Sequence, residues 1–420
     1  METSSALPCD RPEAGWAPSE CGLVNDLWQA QPQARRLLGR SEKERETLGY
    51  LHTLREILQQ PATWLETCER AVAHTSQLRQ AAQGIQALVL TGSGSSEYAA
   101  GCVRPALQKE LAAVTLTMGG GELLTDLPAV LPPQRPALMV SLARSGNSPE
   151  SLGALRAVRE REPGIRQLVV TCNRDGGLAL ACARDSSVPV LALDERTNDR
   201  SLVMTSSFSN LVVAARYLGM LATPDRYRRI CRQMSAMCRA LFINSFDALA
   251  EVAERAFNRV VFLGSGAGLG AASESALKML EMTAGRVAAM RESYLGFRHG
   301  PMSFAEEKTL VVCYLSSDPL RRDYELDLVR ELHRKRLGLA IVMVGDGIPK
   351  DLLREQDVAV ELPGLSEIGD DQAPVLYVAV GQLLAFSRCL SQGLQPDSPS
   401  QNGIINRVVE SFPLYPTERT

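Results

Sequence analysis

The sequence is poor in the features that bind nucleic acids or membranes. Aromatic residues make up only 5% of the 420 residues, and the formal net charge is −3, with acidic and basic residues mixed along the chain. Such a composition offers neither a basic surface for phosphate backbones nor rings for base stacking. No apolar run approaches the roughly 18 residues of a membrane-spanning helix, and the N-terminus lacks the apolar core of a signal peptide. We therefore predict a cytoplasmic protein that binds neither nucleic acid nor membrane.

Metal and nucleotide motifs are absent as well. Ten cysteines are scattered without Cys-x-x-Cys pairs or clusters of cysteine and histidine, which is typical of reduced core cysteines. The pattern G-x-x-x-x-G-K-[ST] of nucleotide hydrolases does not occur, and the Gly-rich turns match the dinucleotide pattern G-x-G-x-x-G poorly. The sequence therefore predicts no metal ion and no cofactor.

What the chain does contain is a repeated strand, turn and helix. The segment LVLTGSGSSEYAA at 88–100 matches VVFLGSGAGLGAA at 260–272, so that Gly92 and Gly264 lie 172 positions apart. The same offset aligns the apolar run 140–142 with 312–314 and the run 169–171 with 341–343. A fourth pair of runs, 188–193 and 358–362, differs from this offset by two positions. An internal duplication explains this constant offset.

Because strands and helices alternate at short intervals, we predict an α/β fold with two tandem, doubly wound parallel sheets in three α/β/α layers. The expected boundaries are an N-terminal extension with helices (1–84), a first sheet domain (85–222), connecting helices (223–255), a second sheet domain (256–391) and an extended, wrapping tail (392–420). Residues 1 to about 22, rich in Pro, Ser and Gly, are expected to be disordered or loosely packed.

Two hydroxyl-rich turns follow strands of the first copy, at 92–96 (GSGSS) and 143–150 (ARSGNSPE). Each leads into a helix and so offers serine hydroxyls, free N–H groups and a positive dipole end. Serines in such places are often only N-caps, but two turns at one sheet edge favour a phosphate group. The counterparts at 264–267 and 316–319 are poorer in hydroxyls or carry an acid, which indicates that the two copies have different roles.

The second copy supplies candidate acid–base groups. Glu274, Lys278 and Glu281 follow the spacing i, i+4, i+7 and share one helical face, and His299 precedes a Gly-Pro break. On spacing alone, the usual explanation of such residues is a solvated row of weak ion pairs and an ordinary loop histidine. The alternative is proton transfer on a small anionic substrate.

Taken together, these motifs resemble the sugar isomerase (SIS) domain family. The helix E-S-A-L-K-M-L-E followed by R-H-G-P is similar to the isomerase half of glucosamine-6-phosphate synthase. The runs A-R-S-G-N-S-P-E-S, G-F-R-H-G-P-M-S and N-R-V-V resemble the AgaS branch, named as tagatose-6-phosphate ketose/aldose isomerases and associated with galactosamine-6-phosphate deamination. The resemblance covers about residues 45 to 415.

The resemblance implies a role for each matching residue. Ser95, Ser96, Ser145 and Ser148 would hold the phosphate, Glu281 would move a proton between C1 and C2, His299 would assist ring opening, and Glu274 and Lys278 would support Glu281. Further contacts with the substrate are expected from Gly94, Arg144, Asn147, Thr205 and Arg298. A homodimer or larger homo-oligomer is expected, and His299 would act either in the pocket of its own chain or in that of the neighbouring subunit. The segment 402–408 has no lysine where the synthase has one, which argues against a Schiff base with a terminal lysine.

Three functions remain open on the sequence alone. The first is an aminosugar-6-phosphate deaminase/isomerase that converts D-galactosamine 6-phosphate into D-tagatose 6-phosphate and ammonia. The second is a ketose/aldose isomerase of sugar phosphates without deamination, which would use the same residues. The third is a non-catalytic sensor of sugar phosphates, which would need only the serine turns.

Overall fold

The computed structural model describes residues 16–400 and 402–415, and its framework is two five-stranded parallel sheets. The first sheet has the order β2-β1-β3-β4-β5, and the second, β10-β9-β8-β6-β7, repeats that order from the opposite edge. The strands are β1 (Ala87–Gly92), β2 (Val114–Gly119), β3 (Ala137–Ala143), β4 (Ile165–Thr171), β5 (Val190–Ala192), β6 (Arg259–Leu263), β7 (Ala288–Glu292), β8 (Thr309–Tyr314), β9 (Ala340–Gly345) and β10 (Val358–Glu361).

The duplication extends to strand register. Ala87 of β1 pairs with Ala137 of β3, and Arg259 of β6 pairs with Thr309 of β8, so both partners move by 172 positions. The predicted tandem α/β fold is therefore confirmed. The sequence reading missed β2 and β7, because both are edge strands with partly exposed side chains and no continuous apolar run.

Six helices precede the first sheet: α1 (Pro18–Ala30), α2 (Pro32–Leu38), α3 (Glu42–Thr47), α4 (Leu51–Leu58), α5 (Gln60–Ala73) and α6 (Thr75–Ala82). The expectation of a loosely packed extension as far as residue 22 is wrong for residues 16–22. Trp16 is buried, and α1 begins at Pro18 with Leu23, Val24 and Leu27 packed into the core. Residues 1–15, to which the expectation also applied, lie outside the described residues.

Helices connect the strands throughout both halves. They are α7 (Ser95–Leu111), α8 (Gly120–Thr125), α9 (Leu127–Val130), α10 (Pro149–Arg161), α11 (Gly177–Cys182), α12 (Ser206–Arg216), the long α13 (Pro224–Glu254), α14 (Ala267–Met282), α15 (Tyr294–Phe297), α16 (Pro319–Arg334), α17 (Leu365–Ile368) and α18 (Pro374–Ser391). The chain from 392 to 400 and from 402 to 415 forms no helix or strand.

The two sheets share a central helical layer. One continuous core joins the inner faces of both sheets through α5, α7, α12, α13, α14 and α18, while α10 and α16 pack on the outer faces over two smaller cores. By length and composition α18 could cross a membrane, but 83% of it is buried inside the protein, as in the core helix of a globular fold. The layer places α7 of the first half directly against α14 of the second.

Gly270 permits this close approach of α7 and α14. A Cβ at position 270 would lie 2.6 Å from the backbone nitrogen of Cys102 and 2.9 Å from the carbonyl carbon of Gly101, which no real Cβ tolerates. Two helix backbones can pack at this distance only where a side chain is missing. The glycine therefore sets the distance between the residues that α14 and α7 carry.

We expect Gly270→Ala to destabilise the protein by about 1–3 kcal/mol, because the added methyl must push two backbones apart. Gly101→Ala is the matched control on the facing helix, since its Cβ would lie 3.9 Å from the nearest atom, Gly270 Cα. The control should gain helix propensity and lose no stability. Urea unfolding of both variants measures the difference, and equal stability of the two would contradict the proposed contact.

Candidate active site

A cavity of about 640 Å³ opens at the carboxyl edge of the first sheet. Its walls are the turns after β1 and β3, Leu277 and Glu281 of α14, the side chains of Leu202 and Met204, and the tail segment 403–410. The helices after β1 and β3 pack on opposite faces of the sheet, which leaves a crevice between the two turns. Doubly wound sheets bind their ligands at this switch point.

The four serines predicted to bind phosphate, Ser95, Ser96, Ser145 and Ser148, all line this cavity. Ser95 and Ser96 begin α7, and Ser148 occupies the N-cap position of α10. Two helix N-termini, with unpaired N–H groups and positive dipole ends, therefore border one space. Gly94 lines the cavity as well, as expected. The arrangement is suited to a doubly charged oxyanion.

The duplicated turns also share an unusual backbone conformation. Gly94 has φ 57° and ψ −124°, and Gly266, its counterpart before α14, has φ 54° and ψ −122°. Only glycine adopts such angles without strain. The Gly-Ser-Gly repeat in the sequence thus encodes the same tight turn twice, although only the first copy lines the cavity.

Glu274, Lys278 and Glu281 lie on the face of α14 that meets α7. The Lys278 ammonium is 3.3 Å from Glu274 Oε1, donates to Ser95 Oγ at 3.1 Å and pairs with Glu281 Oε2. Glu274 and Lys278 are completely buried, whereas the Glu281 side chain is 22% exposed and lines the cavity. The interpretation of this row as a solvated helix face is therefore wrong.

Burial and charge pairing shift the pKa values of this row. Burial raises the pKa of Glu274 to about 8, although the Lys278 ammonium opposes the rise. Burial acts to lower the pKa of Lys278, but the carboxylates of Glu274 and Glu281 outweigh it and raise that pKa. Lys278 therefore stays protonated near neutral pH and is not a free amine nucleophile.

His299 and Arg298 lie elsewhere. His299 follows α15, is exposed and does not line the cavity of its own chain. The Arg298 guanidinium donates to Glu331 at 2.8 Å and to Asp327 at 3.1 Å, both on α16. Two acids on the outer helix therefore hold the Arg298 side chain in this structure, and its expected contact with the substrate stays a prediction.

Asn147 and Thr205 are also absent from the cavity lining. The Asn147 side chain accepts the N–H of Gly177 at 2.8 Å and stabilises the start of α11. Thr205 is fully buried, and its backbone N–H donates to Asp199 at 2.7 Å. The structure thus uses the Asn147 side chain and the Thr205 backbone to hold loops, and the expected substrate contacts of both residues stay predictions.

Arg144 lines the cavity as predicted, but its guanidinium is bound to backbone carbonyl groups. One nitrogen donates to Leu202 O at 2.9 Å and to Ser201 O at 3.4 Å, and another donates to Arg407 O in the tail. Arg144 therefore ties the turn after β3, the loop before α12 and the tail together. Its guanidinium positions the walls of the cavity, and its expected contact with the substrate stays a prediction.

The tail segment 403–410 forms a further wall of the cavity. The sequence matched 402–408 to the synthase segment that carries a lysine, but it did not indicate what holds the tail in place. Arg407 fastens it, with Nε donating to Asp199 O at 2.7 Å and Nη2 to Asn198 Oδ1 at 2.6 Å. These partners are distant along the chain, so no local residue pattern could indicate them. Several other residues line the cavity that the sequence did not indicate as site residues, and some of them, such as Ser93, Glu150 and Ser151, lie in or beside the predicted turns. The full set is Ser93, Leu142, Ala143, Gly146, Glu150, Ser151, Leu202, Met204 and Leu277.

Among residues 16–400 and 402–415, no group of three or more His, Cys, Asp or Glu side chains could hold a metal ion. The cavity instead offers hydroxyls, helix N-termini, one buried ammonium at its edge and one accessible carboxylate. These groups can bind an oxyanion and move a proton next to it.

Known proteins identify the family. The AgaS protein of Streptomyces coelicolor is 37% identical over 373 residues, which cover 87% of this chain and 95% of that protein. The D-galactosamine-6-phosphate deaminase AgaS of Escherichia coli O157:H7 is 33% identical over 87% of this chain and 95% of its own length. The chain belongs to the AgaS family.

Solved structures agree with this assignment to the AgaS family. The tagatose-6-phosphate ketose/aldose isomerase of Escherichia coli superposes with a TM-score of 0.79 at 29% identity, over 87% of this chain and 97% of that one. The C-terminal domain of glucosamine-fructose-6-phosphate aminotransferase from Francisella tularensis, 19% identical with a TM-score of 0.72, shares the fold over 83% of this chain and 98% of that chain. No family model matches the chain.

We expect Arg407→Ala to release the tail from the cavity. A hydrogen bond from a charged donor contributes about 1.5–3 kcal/mol, so losing these contacts should speed proteolytic cleavage of the tail at Phe412 by about tenfold or more. Arg255→Ala is the matched control, because Arg255 donates to Gln356 O at 2.6 Å, away from the cavity. Equal cleavage rates in wild type and Arg407→Ala would show that Arg407 does not hold the tail.

Proposed function

We propose that this AgaS-family chain is a D-galactosamine-6-phosphate deaminase/isomerase that forms D-tagatose 6-phosphate and ammonia. One observation carries the proposal: the serine turns of the first half and the buried Glu-Lys-Glu row of the second meet at a single cavity. The printed name of the Escherichia coli relative supplies the substrate. The free cysteines among the described residues support a reducing, cytoplasmic location.

The first step is binding of the phosphate. Four serines, Ser95, Ser96, Ser145 and Ser148, present hydroxyls beside the N-termini of α7 and α10. The hydroxyls can donate hydrogen bonds to the phosphate oxygens, and the positive ends of the helix dipoles complement the negative charge of the phosphate. Binding at this end of the sugar fixes its orientation and brings carbons 1 and 2 toward α14. Energy from this remote contact then lowers the barrier of the chemical step.

Ring opening requires an acid at the ring oxygen and a base at the anomeric hydroxyl. An imidazole performs either task near neutral pH, and His299 is the candidate. Because His299 is exposed and lies outside the cavity of its own chain, we place it in the cavity of a neighbouring subunit. The proposal therefore includes a homodimer or a larger homo-oligomer.

Proton transfer between carbons 2 and 1 is assigned to Glu281. This carboxylate is the member of the row that lines the cavity, and it forms an ion pair with Lys278. Glu281 would remove the proton from C2 of the open-chain aldehyde, the aldehyde oxygen would take up a proton to become the C1 hydroxyl, and Glu281 would return its proton to C1 of the resulting enaminol. The 2-amino group loses one proton and becomes a C2 imine, which balances the proton taken up by the aldehyde oxygen. Addition of water then releases ammonia and leaves the C2 ketone.

The alternative is ketose/aldose isomerisation of tagatose 6-phosphate without deamination. It is favoured by the name of the superposed Escherichia coli structure. The same phosphate site and the same carboxylate would act on a 2-hydroxy sugar, and the product would retain all of its oxygens. Ammonia release separates the two reactions.

Purified wild-type protein should release one ammonia for each D-tagatose 6-phosphate formed from D-galactosamine 6-phosphate. Glu281→Gln should still bind the substrate but lose turnover by about 10³-fold or more, because the shuttling base is gone. A coupled ammonia assay and calorimetric binding measure the two quantities. The exposed Glu251→Gln on α13 is the control and should keep full activity.

Two results would contradict this assignment. Turnover of tagatose 6-phosphate without any ammonia from the amino sugar would select the alternative reaction. Full turnover by Glu281→Gln would remove Glu281 from proton transfer.

The phosphate assignment is tested by the pair Ser145→Ala/Ser148→Ala. We expect KM for the phosphorylated sugar to rise at least tenfold while kcat changes little, because the lost contacts act on the remote phosphate. Unphosphorylated D-galactosamine is the matched comparison, since its much weaker turnover should not change in the double variant. An unaltered KM for the phosphorylated sugar would place the phosphate elsewhere.

A further inference from the structure

The second half repeats the serine turn after β3 that we assign to phosphate binding, but in the second half a side chain of the same chain occupies this turn. Ser317 lies 172 positions after Ser145, and both follow the third strand of their sheet in the spatially equivalent place. In the first half this turn borders the open cavity. In the second half a carboxylate of the same chain, Asp370, sits on the turn.

Asp370 is bound there by several donors. Ser317 donates its backbone N–H at 2.7 Å and its hydroxyl at 2.6 Å to Oδ1, and the Ser316 hydroxyl donates to Oδ2. The Arg321 guanidinium lies 3.5 Å from Oδ2, and the Asp370 side chain is only 16% exposed. A backbone N–H, two hydroxyls and an arginine are the donors that proteins use for a bound oxyanion.

The neighbouring groups show that this crevice is closed. Arg321 also lies over the first turn of the second half, with its Nη1 3.5 Å from where a Cβ of Gly266 would stand. The Asp318 side chain caps α16 by accepting the N–H of Arg321 at 3.0 Å, where Ser148 stands at the equivalent N-cap of α10. The ion pair of Arg321 and Asp370 thus fills the space between the two turns.

A second acid faces the same turn from α16. Glu325 is fully buried and accepts the N–H of Ser316 at 2.7 Å. Burial raises the pKa of Glu325 to about 7, and the nearby Asp370 carboxylate adds to that rise. The carboxyl groups of Asp370 and Glu325 therefore accept the hydrogen bonds from this turn that an external oxyanion would otherwise accept.

We propose that the turn 316–318 is an oxyanion site inherited with the duplication, that Asp370 occupies it as a resident anion, and that removing this carboxylate opens the site to a small external oxyanion such as acetate. The inference does not rest on the proposed function, because it depends only on contacts in the second half. It follows that the wild-type chain offers an external phosphate only the turns of the first half.

The resident anion has a structural task. Asp370 lies four positions before Pro374, where α18 begins, and α18 packs against α14, the helix that carries Glu274, Lys278 and Glu281. By tying the segment before α18 to the turn after β8, Asp370 helps to fix a helix that packs on α14. Loss of its carboxylate leaves buried donors unpaired and should loosen this end of the helix.

The experiment is chemical rescue of Asp370→Ala with sodium acetate, compared with sodium chloride at the same ionic strength. In chloride, the Tm of the variant should fall several degrees below that of the wild type. Acetate should restore at least half of the loss, because its carboxylate replaces the missing one. Wild type and the neighbouring variant Asp371→Ala should show no shift specific to acetate.

Two further variants locate the effect. Adding Ser317→Ala to Asp370→Ala should abolish the rescue, whereas adding Ser145→Ala/Ser148→Ala should preserve it. If Asp370→Ala does not fold in chloride, refolding yield in acetate against chloride replaces Tm, and a higher yield is expected. Absence of any acetate-specific gain, or an equal gain in wild type, would overturn the proposal. Because the readout is stability, it is independent of whether the chain deaminates an amino sugar.

Discussion

The candidate site depends on one buried ammonium at the boundary between the two halves. Lys278 has no exposed side-chain surface, and transferring such a charge from water costs several kcal/mol. Glu274 and Glu281 compensate from the same helix, and Ser95 accepts a hydrogen bond from across the boundary. Separating α7 from α14 would break the hydrogen bond between Lys278 and Ser95 and expose the paired charges of α14 to water, so this contact ties the two halves together. The charge network and the close contact at Gly270 therefore both constrain the distance between α7 and α14.

The duplication shows how one backbone can have two functions. The strand order, the β1–β3 type register and the angles of Gly94 and Gly266 repeat almost without change. The side chains on the repeated turns do not: serines border an open cavity in one half, and an internal ion pair fills the crevice in the other. With its own crevice filled, the second half contributes the face of α14 to the open site.

How much the sequence predicts depends on the kind of contact. Apolar runs and paired glycines at a constant offset predicted both sheets, because burial and turn geometry restrict which residue types can occupy a position. The serine turns and the Glu-Lys-Glu row were also predictable as neighbours, since each lies at a sheet edge or on one helix face. The edge strands β2 and β7 were missed because half-exposed strands lack an apolar signal.

Contacts with groups outside a side chain's own motif were not predictable. Arg298, Thr205 and Asn147 are of the right residue type and lie near the motifs, yet in this structure each takes part in holding a loop or an outer helix. Conversely, Arg407 lies in the motif N-R-V-V, but nothing in that motif indicated that it fastens one wall of the cavity. Whether a polar side chain faces a ligand or a carbonyl depends on the path of distant segments. That path is a property of the whole fold.

The path of the tail also bears on the chemistry. The guanidinium of Arg407 is bound to Asn198 and Asp199, and no lysine lines the cavity within the described residues. Lys278, the nearest amine to the serine turns in this network, is held between two carboxylates that favour its protonated form. An enzyme-bound imine therefore has no evident amine to form it. A 2-amino sugar needs none, because its own nitrogen becomes the imine once the proton has moved from C2 to C1. The arrangement thus favours a reaction in which the protein supplies the proton shuttle and the substrate supplies the leaving nitrogen.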